Sequence, residues 1–410
     1  MKAVISLSGG LDSTCLLMHL LANGYDEIRA FSFNYGQKHD IELRKVQNNI
    51  KFLQDKGFNV SHQIIDLRDC FSDSASSLHK GGEAIPEGHY ADENMKSTVV
   101  ENRNIIFSSI VYGKALGWAN KTQSDVKITL GLHAGDHCFT ADTTIFTPNG
   151  YKTVGELKVG DEVYSFDGEN HKVEITKLQD IIHKGTNSTI YEIATSTGKV
   201  KLTSEHKVYV CWTRDSGIEF GSKLAKDLEV GDKLITPLLI SSDKDRTQET
   251  IEFGESVLAS ITSINVIEYD EPVDVYDLSV EKNHNFFAGD NGNILISNSI
   301  YPDCRVESQE MAKQLFRISN WGSERVDYIA PFVNIDKGAV LASGVAAMQH
   351  LGFTESERDE VLRNTHTCYN PISCGEGIDE VKSCGKCGSC TERLEAFAIN
   401  GLKDPVPYQE

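Results

Sequence analysis

The feature that most constrains this chain is a stretch of residues 138–298 whose two ends carry the groups of a self-excision reaction. The stretch begins with the thiol of Cys138, ends with Asn298 and is followed by the hydroxyl of Ser299. A thiol can attack the carbonyl before it, and a hydroxyl can then accept the acyl chain. The flanking residues 131–137 and 299–305 read as one loop when joined. We therefore predict two proteins in one chain, with domains at 1–137, 138–298 and 299–410.

Length and charge limit the classes of function. A chain of 410 residues predicts two or three domains, and its net charge of -20 argues against a broad nucleic-acid surface. No apolar run approaches the ~20 residues that span a bilayer. The N-terminus opens on a strand pattern and not on a signal peptide. We expect a cytoplasmic protein with small-molecule ligands, no membrane contact and no direct nucleic-acid binding.

Residues 1–137 alternate between strand and helix patterns, which predicts an α/β fold with a doubly wound parallel sheet. The predicted strands are 3–7, 28–33, 60–65 and 126–132. The predicted helices are 12–22, 37–56 and 102–118, with a polar loop or lid at 66–97. A helical pattern returns after residue 299, most clearly at 337–351.

Residues 138–298 have a different pattern, in which short β-like runs are split by turn signals such as Val159-Gly160-Asp161 and Val230-Gly231-Asp232. This predicts an all-β domain. Residues 241–250 are polar and are expected to form a surface loop. We find no convincing internal repeat.

A Gly-rich loop follows the first predicted strand and opens the first predicted helix. Its glycines permit close backbone approach, and a helix N-terminus offers free N–H groups to a phosphate. No lysine occupies the position it has in a Walker loop, so the loop is not that motif. The alternative is an ordinary glycine turn capped by Asp12, but the full motif between strand and helix favours a phosphate-binding loop. The candidate residues are Leu7, Ser8, Gly9, Gly10, Leu11, Asp12, Ser13 and Thr14.

A cysteine cluster near the C-terminus is the candidate metal site. Cys384, Cys387 and Cys390 are spaced by two residues each, and an upstream fourth ligand would complete a tetrahedral Zn²⁺ site. Cys368, Cys374 and His366 compete for the fourth position, and an iron–sulfur cluster is the alternative to zinc. With four protein ligands the site would be structural.

Outside residues 138–298 the chain resembles the 7-cyano-7-deazaguanine synthases, which are N-type ATP pyrophosphatases of queuosine and archaeosine biosynthesis. The resemblance rests on residues 8–13, 34–37, 103–104, 135–137, 301–305 and the C-terminal cysteines. It implies an adenine nucleotide alpha hydrolase-like fold, with ATP and Mg²⁺ bound near Asp12. It also implies Cys368 as the fourth zinc ligand and a possible homodimer. The chain departs from the family at residues 100–102, where Val-Glu-Asn stands in place of Val-Pro and a small residue.

The chemistry implied by this resemblance uses ATP to adenylate the carboxylate of 7-carboxy-7-deazaguanine. Ammonia then attacks, and a second activation drives loss of water to give a nitrile. No glutaminase domain is visible, so free ammonia is the expected nitrogen source. Asp303 and Arg305 would bind the base and the carboxylate, but can equally be a surface ion pair. The candidate substrate-binding residues are Arg103, Asn104, Asp136, His137, Asp303 and Arg305.

Residues 138–298 resemble a mini-intein of the Hint fold, through 138–143, 203–206, 275–281, 284–286 and 294–299. The resemblance implies that Cys138 attacks the preceding carbonyl, that Thr203 holds that peptide bond and that His206 protonates its nitrogen. Asp277 would assist the transfers, Ser299 would take the acyl chain and Asn298 would cyclise. Most inteins have histidine where this chain has Ser297. We therefore expect slow or incomplete splicing, with His284 as the compensating group.

Two alternatives use the same motifs. A tRNA-thiolating pyrophosphatase would share the phosphate loop and the cysteines, but should carry a basic RNA-binding face. The acidic composition and residues 301–305 speak against it. A two-domain binding protein with a stable, non-splicing Hint-like module would remain at full length. If the insert does splice, we expect the unspliced chain to have little synthase activity.

Overall fold

The computed structural model divides into two compact units. The host unit comprises residues 1–134 and 301–410, and the inserted unit comprises residues 135–300. The residues that the structure describes are 1–85, 97–131, 138–168, 172–204, 206–214, 217–237, 251–252, 258–283, 285–290, 294–297, 306–332, 335, 337–373 and 381–409. The predicted polar loop at 241–250 therefore lies outside the described residues.

The first part of the host unit alternates strands and helices. Its elements are β1 (Lys2–Ser6), α1 (Leu11–Ala22), β2 (Glu27–Asn34), α2 (Ile41–Asp55), β3 (Val60–Asp66), α3 (Arg103–Thr122) and β4 (Val126–Leu130). The predicted helix at 37–56 begins four residues later, at Ile41. The reason is that the Gln37 side chain is committed to the preceding turn, where its amide bonds the backbone of Phe33 and Tyr35.

The described part of the inserted unit is built from strands and short 3₁₀ turns, as its turn-rich sequence predicts. The strands are β5 (Phe139–Thr140), β6 (Thr144–Thr147), β7 (Gly150–Thr153), β8 (Glu162–Asp167), β9 (Lys172–Thr195), β10 (Lys199–Leu202), β11 (Lys207–Arg214), β12 (Gly217–Leu224), β13 (Lys233–Ile235), β14 (Ile251–Glu252), β15 (Leu258–Val280), β16 (Asn285–Ala288) and β17 (Ile294–Ser297).

The second part of the host unit is mainly helical. Its elements are α4 (Val306–Ser319), β18 (Val326–Ile329), α5 (Lys337–His350), α6 (Glu355–Arg363), β19 (Ile372–Ser373), β20 (Val381–Lys382) and α7 (Gly388–Ile399). Helix α6 begins at a capping box, in which the Thr354 side chain accepts from the Glu357 N–H and Glu357 accepts from the Thr354 N–H. No helix in the described ranges is long and apolar enough to cross a membrane.

The host sheet has the strand order β18-β4-β1-β2-β3, and every neighbouring pair is parallel. The chain moves from β1 to β2 to β3 in one direction, and then returns past β1 to β4. The order therefore reverses between β1 and β4, where a doubly wound sheet opens a crevice at the strand carboxyl ends. The predicted doubly wound parallel sheet is confirmed.

Alternate residues of the central strands serve two separate cores. Ala3 and Ile5 pack with helices α1, α2, α5 and α7 on one face of the sheet. Val4 packs with α3 and α4 on the other face. Since successive side chains of a strand point to opposite faces, a continuous apolar run is what a strand covered on both sides requires.

The inserted unit contains a structural repeat at two Val-Gly-Asp segments, which the sequence indicated only as separate turns. Gly160 (φ +93°) and Gly231 (φ +101°) occupy equivalent turns, each followed by an aspartate. The carboxylates of Asp161 and Asp232 each accept from the N–H three residues earlier and from a lysine Nζ nine residues earlier. The expectation of no repeat was wrong, because the similarity is confined to these short turns and is hidden by unrelated strand residues around them.

Gly9 gives a direct test of the fold around the phosphate loop. Its φ is +95°, and an added Cβ would lie 2.6 Å from the Glu42 carbonyl oxygen. We expect Gly9→Ala to destabilise the host unit by about 2 kcal/mol, because the left-handed backbone and the clash both oppose a side chain. The measurement is the free energy of unfolding in denaturant.

The matched control is Gly113→Ala on helix α3, where an added Cβ meets no atom within 4 Å. Alanine is a better helix former than glycine, so this variant should gain about 0.5–1 kcal/mol. Equal unfolding free energies for the two variants would contradict the proposed packing of the loop against α2.

Candidate active sites

The Gly-rich loop lies at the carboxyl end of β1 and leads into helix α1, which begins at Leu11. The Ser8 hydroxyl accepts from the Gly10 N–H at 3.2 Å and lies 3.0 Å from the Ser13 hydroxyl. No side chain caps the start of the helix at Gly10. An anion at this position would therefore not compete with a capping side chain, as the predicted phosphate loop requires.

The last residue before the predicted insertion loop meets the phosphate loop. A Cβ placed on Gly131, directly after β4, would lie 2.9 Å from the Ser13 Cα. Only a residue without a side chain fits at this position, because the backbones of the two segments are in contact. The phosphate loop and the segment leading to the predicted junction therefore meet at the switch point of the sheet.

A buried lysine extends the phosphate loop and was not identified from the sequence. Lys337, at the start of α5, places its Nζ 2.9 Å from a Glu392 carboxylate oxygen and 3.8 Å from an Asp12 carboxylate oxygen. Burial alone would lower the pKa of Lys337, but the two carboxylates raise it above its usual value. The cation stays charged beside the loop. The signal in the sequence was only its position at the N-terminus of a predicted helix.

The two candidate substrate residues that the structure describes lie at the start of α3. The Arg103 guanidinium lies 3.5 Å from the Tyr35 hydroxyl, with its central carbon 5.8 Å from the centre of that ring. Asn104 is buried and lies 3.4 Å from Arg103 through its side-chain oxygen. The other four candidates, Asp136, His137, Asp303 and Arg305, lie outside the described residues.

The four cysteines of the predicted metal site come together. The Sγ atoms of Cys368, Cys384, Cys387 and Cys390 lie within 4.8 Å of one another and are buried, with Cys384 and Cys390 at 3.9 Å. A tetrahedral zinc ion about 2.3 Å from each thiolate would hold the sulfurs about 3.8 Å apart. The cluster can therefore hold a metal. The competing ligand Cys374 lies outside the described residues.

The segment between α6 and the cysteine cluster is tied to the phosphate loop. The His366 N–H donates to the Gly9 carbonyl at 2.8 Å. Arg393, which is fully buried, donates to the hydroxyls of Thr365 and Thr367 and forms a two-point ion pair with Asp404. The cysteine cluster, the Arg393 network and the phosphate loop therefore form one connected structure.

In the inserted unit, Cys138 lies between two strands that carry candidate groups. Leu202 and Tyr276 both pair with Phe139, so Thr203 and Asp277 occupy the register positions on either side of Cys138. The Cys138 N–H donates to the Thr203 hydroxyl at 3.1 Å. Cys138, Thr203 and Asp277 are all buried. Thr203 thus contacts the nitrogen of the peptide bond that it was predicted to hold.

His206 contacts the next carbonyl along the chain. Its Nδ1 lies 2.9 Å from the Cys138 carbonyl oxygen, one peptide bond beyond the predicted scissile amide. Burial lowers the pKa of His206 to about 4, although the Cys138 carbonyl and the Ser297 backbone act in the opposite direction. The ring is therefore neutral near pH 7 and lies close to both ends of the insert. His284, Asn298 and Ser299 lie outside the described residues.

Comparisons with known proteins match two different families, whose matched residues overlap at 144–146 and 291–298. Residues 2–146 and 291–401 match the family "Queuosine biosynthesis protein QueC", and residues 144–298 match the intein splicing domain. The family match covers more than half of the chain.

Individual relatives give a similar result. The 7-cyano-7-deazaguanine synthase 1 of Colwellia psychrerythraea is 37% identical over 408 residues, which cover 100% of this chain and 99% of the relative. The synthase of Marinomonas sp. is 25% identical over 408 residues, with 100% and 98% covered. The synthase of Caldicellulosiruptor saccharolyticus is 44% identical over 138 residues, which are 33% of this chain and 56% of the relative.

Similar solved structures cover only part of the chain. The solution structure of a bacterial intein-like domain from Clostridium thermocellum is 24% identical, covers 39% of this chain and 98% of its own, and has a TM-score of 0.30. The Ssp DnaB mini-intein variant M86 is 20% identical, covers 42% and 98%, and has a TM-score of 0.32. These scores are too low to carry a conclusion.

The match to the QueC model and the Colwellia relative are each sufficient to assign the family. The chain therefore belongs to the QueC family of queuosine biosynthesis proteins, and it carries an intein splicing domain between the two segments that match that family.

Proposed function

We propose that this chain is the precursor of an ATP-dependent ligase that converts 7-carboxy-7-deazaguanine and ammonia to 7-cyano-7-deazaguanine. In this proposal the insert 138–298 splices itself out and joins His137 to Ser299. The observation that carries the proposal is the contact of Gly131 with Ser13, because it brings the segment leading to the junction onto the phosphate loop. Carboxylate activation by ATP needs a phosphate site and a substrate loop at one place.

ATP would bind with its phosphates on the first N–H groups of α1 and the hydroxyls of Ser8 and Ser13. Lys337 supplies a fixed positive charge beside Asp12, which suits the charge that develops on a departing pyrophosphate. The Asp12 carboxylate, which is 22% exposed, is the kind of oxygen donor that Mg²⁺ prefers, and it would hold that ion. Bound Mg²⁺ would neutralise phosphate charge during adenylation.

The substrate carboxylate would lie against Arg103, with Asn104 beside it. A guanidinium recognises a carboxylate through two parallel hydrogen bonds, and Tyr35 holds the Arg103 group in place. Asp136, His137, Asp303 and Arg305 remain predictions for the rest of the substrate pocket. Adenylation makes the carboxylate carbon an electrophile, and ammonia displaces AMP to form the amide. A second adenylation of the amide oxygen then provides the leaving group for nitrile formation.

Splicing would begin when the Cys138 sulfur attacks the His137 carbonyl carbon. The C–S bond forms, the C–N bond breaks, and the released nitrogen gains a proton. Thr203 supports this step by contacting that nitrogen, and neutral His206 and buried Asp277 are the nearby groups that can move protons. Ser299 would then take the acyl chain, Asn298 would cyclise and cut the branch, and an O–N shift would form the new peptide bond.

The decisive measurement is the mass of the purified recombinant chain, followed by an activity assay. We expect one product of residues 138–298 and one of 1–137 joined to 299–410. The joined product should make nitrile from ATP, ammonia and the carboxy-deazaguanine. A Cys138→Ala, Asn298→Ala precursor should lose at least about 100-fold in activity, because the insert divides a loop that reaches the phosphate site.

A single unchanged full-length mass would contradict splicing and favour a stable two-domain binding protein. Full nitrile synthesis by the blocked precursor would contradict the placement of the junction in the active-site loop.

We further propose that the four-cysteine cluster binds a structural Zn²⁺. Cys387→Ser should abolish stoichiometric zinc and destabilise the host unit by about 4 kcal/mol, which corresponds to roughly 10 °C in melting temperature. The metal content and the thermal midpoint are measured together. Exposed Cys70 provides the matched control, since Cys70→Ser should change neither quantity. Iron in place of zinc, or an unchanged midpoint in Cys387→Ser, would contradict the proposal.

We also propose a homodimer that buries one face of α4. Met311, Leu315, Ile318 and Trp321 are 71%, 55%, 84% and 97% exposed, and their spacing puts them along one side of the helix and the following turn. Ile318→Glu with Trp321→Glu should convert a dimer to a monomer, as measured by light scattering. Ile399→Glu, at another exposed isoleucine, should leave the mass unchanged. A monomeric parent would contradict the proposal.

A further inference from the structure

A group of buried polar side chains lies behind the phosphate loop and has no role in the steps above. Helix α2 carries Glu42 at its first turn, and the Glu42 carbonyl lies directly against Gly9. The side chains of Gln37, His39 and Glu42 are all at least nine-tenths buried. Buried polar groups of this kind are costly unless they have partners, so their contacts indicate what the group can do.

Gln37 fixes the orientation of the Glu42 carboxyl group. Its amide oxygen accepts from the Tyr35 N–H at 2.9 Å, so its nitrogen must be the end that faces Glu42. That nitrogen donates to Glu42 Oε1 at 2.9 Å and to the Phe33 carbonyl at 3.1 Å. The second carboxyl oxygen, Oε2, is therefore the one that can exchange a proton.

One ring nitrogen of His39 faces that second oxygen, and the other has no hydrogen-bond partner within the described part of the chain. Its Nε2 lies 3.8 Å from Glu42 Oε2, which is too long for a direct hydrogen bond but suits a small polar molecule beside both atoms. Its Nδ1 is buried and has no hydrogen-bond partner among the described residues. An imidazole nitrogen in this state is expected to bind a ligand or a water.

The group lies between the two parts of the proposed active site. Arg103 is close enough to act electrostatically on both groups: its charge partly offsets the burial that raises the pKa of Glu42, and adds to the burial that lowers the pKa of His39. On the other side, the His39 ring is 5.5 Å from the Tyr369 ring, and Tyr369 is close enough to Lys337 to influence its pKa. Glu42 and His39 are therefore close both to Arg103 in the proposed carboxylate site and to the phosphate loop at Gly9.

We propose that Glu42 and His39 form the ammonium site of the enzyme and take up the two protons that leave the nitrogen as NH₄⁺ is converted to the amide. This inference rests on the proposed synthase function. In the first step NH₄⁺ gives a proton to the Glu42 carboxylate and becomes NH₃. In the second, the nitrogen lone pair forms the C–N bond, the C–O bond to AMP breaks, and the surplus proton on nitrogen passes to His39.

The surroundings match these two roles. Burial raises the pKa of Glu42 to about 8, against opposing effects of Gln37 and Arg103, with Asp40 also raising it. A carboxylate with this pKa is a much better proton acceptor for ammonium than an ordinary glutamate. Burial lowers the pKa of His39 to about 4, with Arg103 lowering it further and Asp40 and Cys387 opposing. His39 is therefore neutral and able to accept a proton.

The sign of the pH dependence follows from the raised pKa of Glu42. The ionised form accepts the proton, so kcat/KM for total ammonia should rise with pH through about 8. In Glu42→Gln that inflection should disappear, and only the dependence on the dissolved NH₃ fraction should remain. The amide of glutamine can still accept from Gln37, so the fold should be retained.

The experiment separates adenylation from nitrogen transfer in the ligated product purified from the full chain. Carboxylate-dependent exchange of pyrophosphate into ATP, measured without ammonia, reports adenylation. Amide formation with ammonium chloride reports nitrogen transfer. We expect Glu42→Gln to slow nitrogen transfer about 100-fold more than exchange. Asp55→Asn, at the exposed end of the same helix, is the matched control and should change neither rate.

His39→Gln provides a second variant that does not depend on the behaviour of Glu42→Gln, and it should show the same selective loss. Equal loss of exchange and nitrogen transfer in both variants, or no loss in either, would overturn the ammonium site. If the parent enzyme shows no carboxylate-dependent exchange, the proposed synthase function is wrong, and so is the ammonium site that rests on it. This result differs from failure of the ammonium site alone, in which the parent enzyme does show exchange.

Discussion

The rest of the host unit depends on the contact of two backbones at the switch point of its sheet. β1 leads into the phosphate loop and β4 leads to the predicted insertion loop, and the two are adjacent parallel strands. Their extensions meet where Gly131 lies against Ser13. Because a side chain at Gly131 would collide with the start of α1, the chain directly after β4 lies against the site where phosphates are expected. A change at Gly131 therefore acts on the phosphate site directly.

The C-terminal region supports the phosphate loop from the other side. Arg393 is buried. Its guanidinium donates hydrogen bonds to the Asp404 carboxylate, two threonine hydroxyls and a backbone carbonyl. A buried cation with this many partners fixes the segment 365–367 in one position. That segment donates to the Gly9 carbonyl, and the cysteine cluster begins one residue beyond it. The cluster can thus stabilise the Gly-rich loop through this segment.

Much of the fold was predictable because it depends on local patterns. Hydrophobic periodicity and glycine positions predict the strands β1 and β4 and the long helix α3. Cysteine spacing predicts the cysteine cluster. What the sequence did not predict depends on distant residues. Lys337 becomes part of the site only because α5 packs on α1, and Glu42 becomes buried only because α2 covers the loop at Gly9. The repeat around Asp161 and Asp232 was missed because the residues that it shares are confined to the two turns, whereas the neighbouring strands differ in sequence.

The geometry of the inserted unit explains how a host unit can tolerate it. β18 pairs with β4 although the whole insert lies between them in the chain, so the two host segments must meet with the insert in place. The entropic cost of closing a loop rises only slowly with the length of the loop. A folded insert whose two ends are adjacent adds even less to this cost. The backbone of Cys138, at one end of the insert, and the backbone of Ser297, near the other end, both form hydrogen bonds with the His206 ring. The ends of the insert are therefore close together, as self-excision would need and as the pairing of β4 with β18 favours.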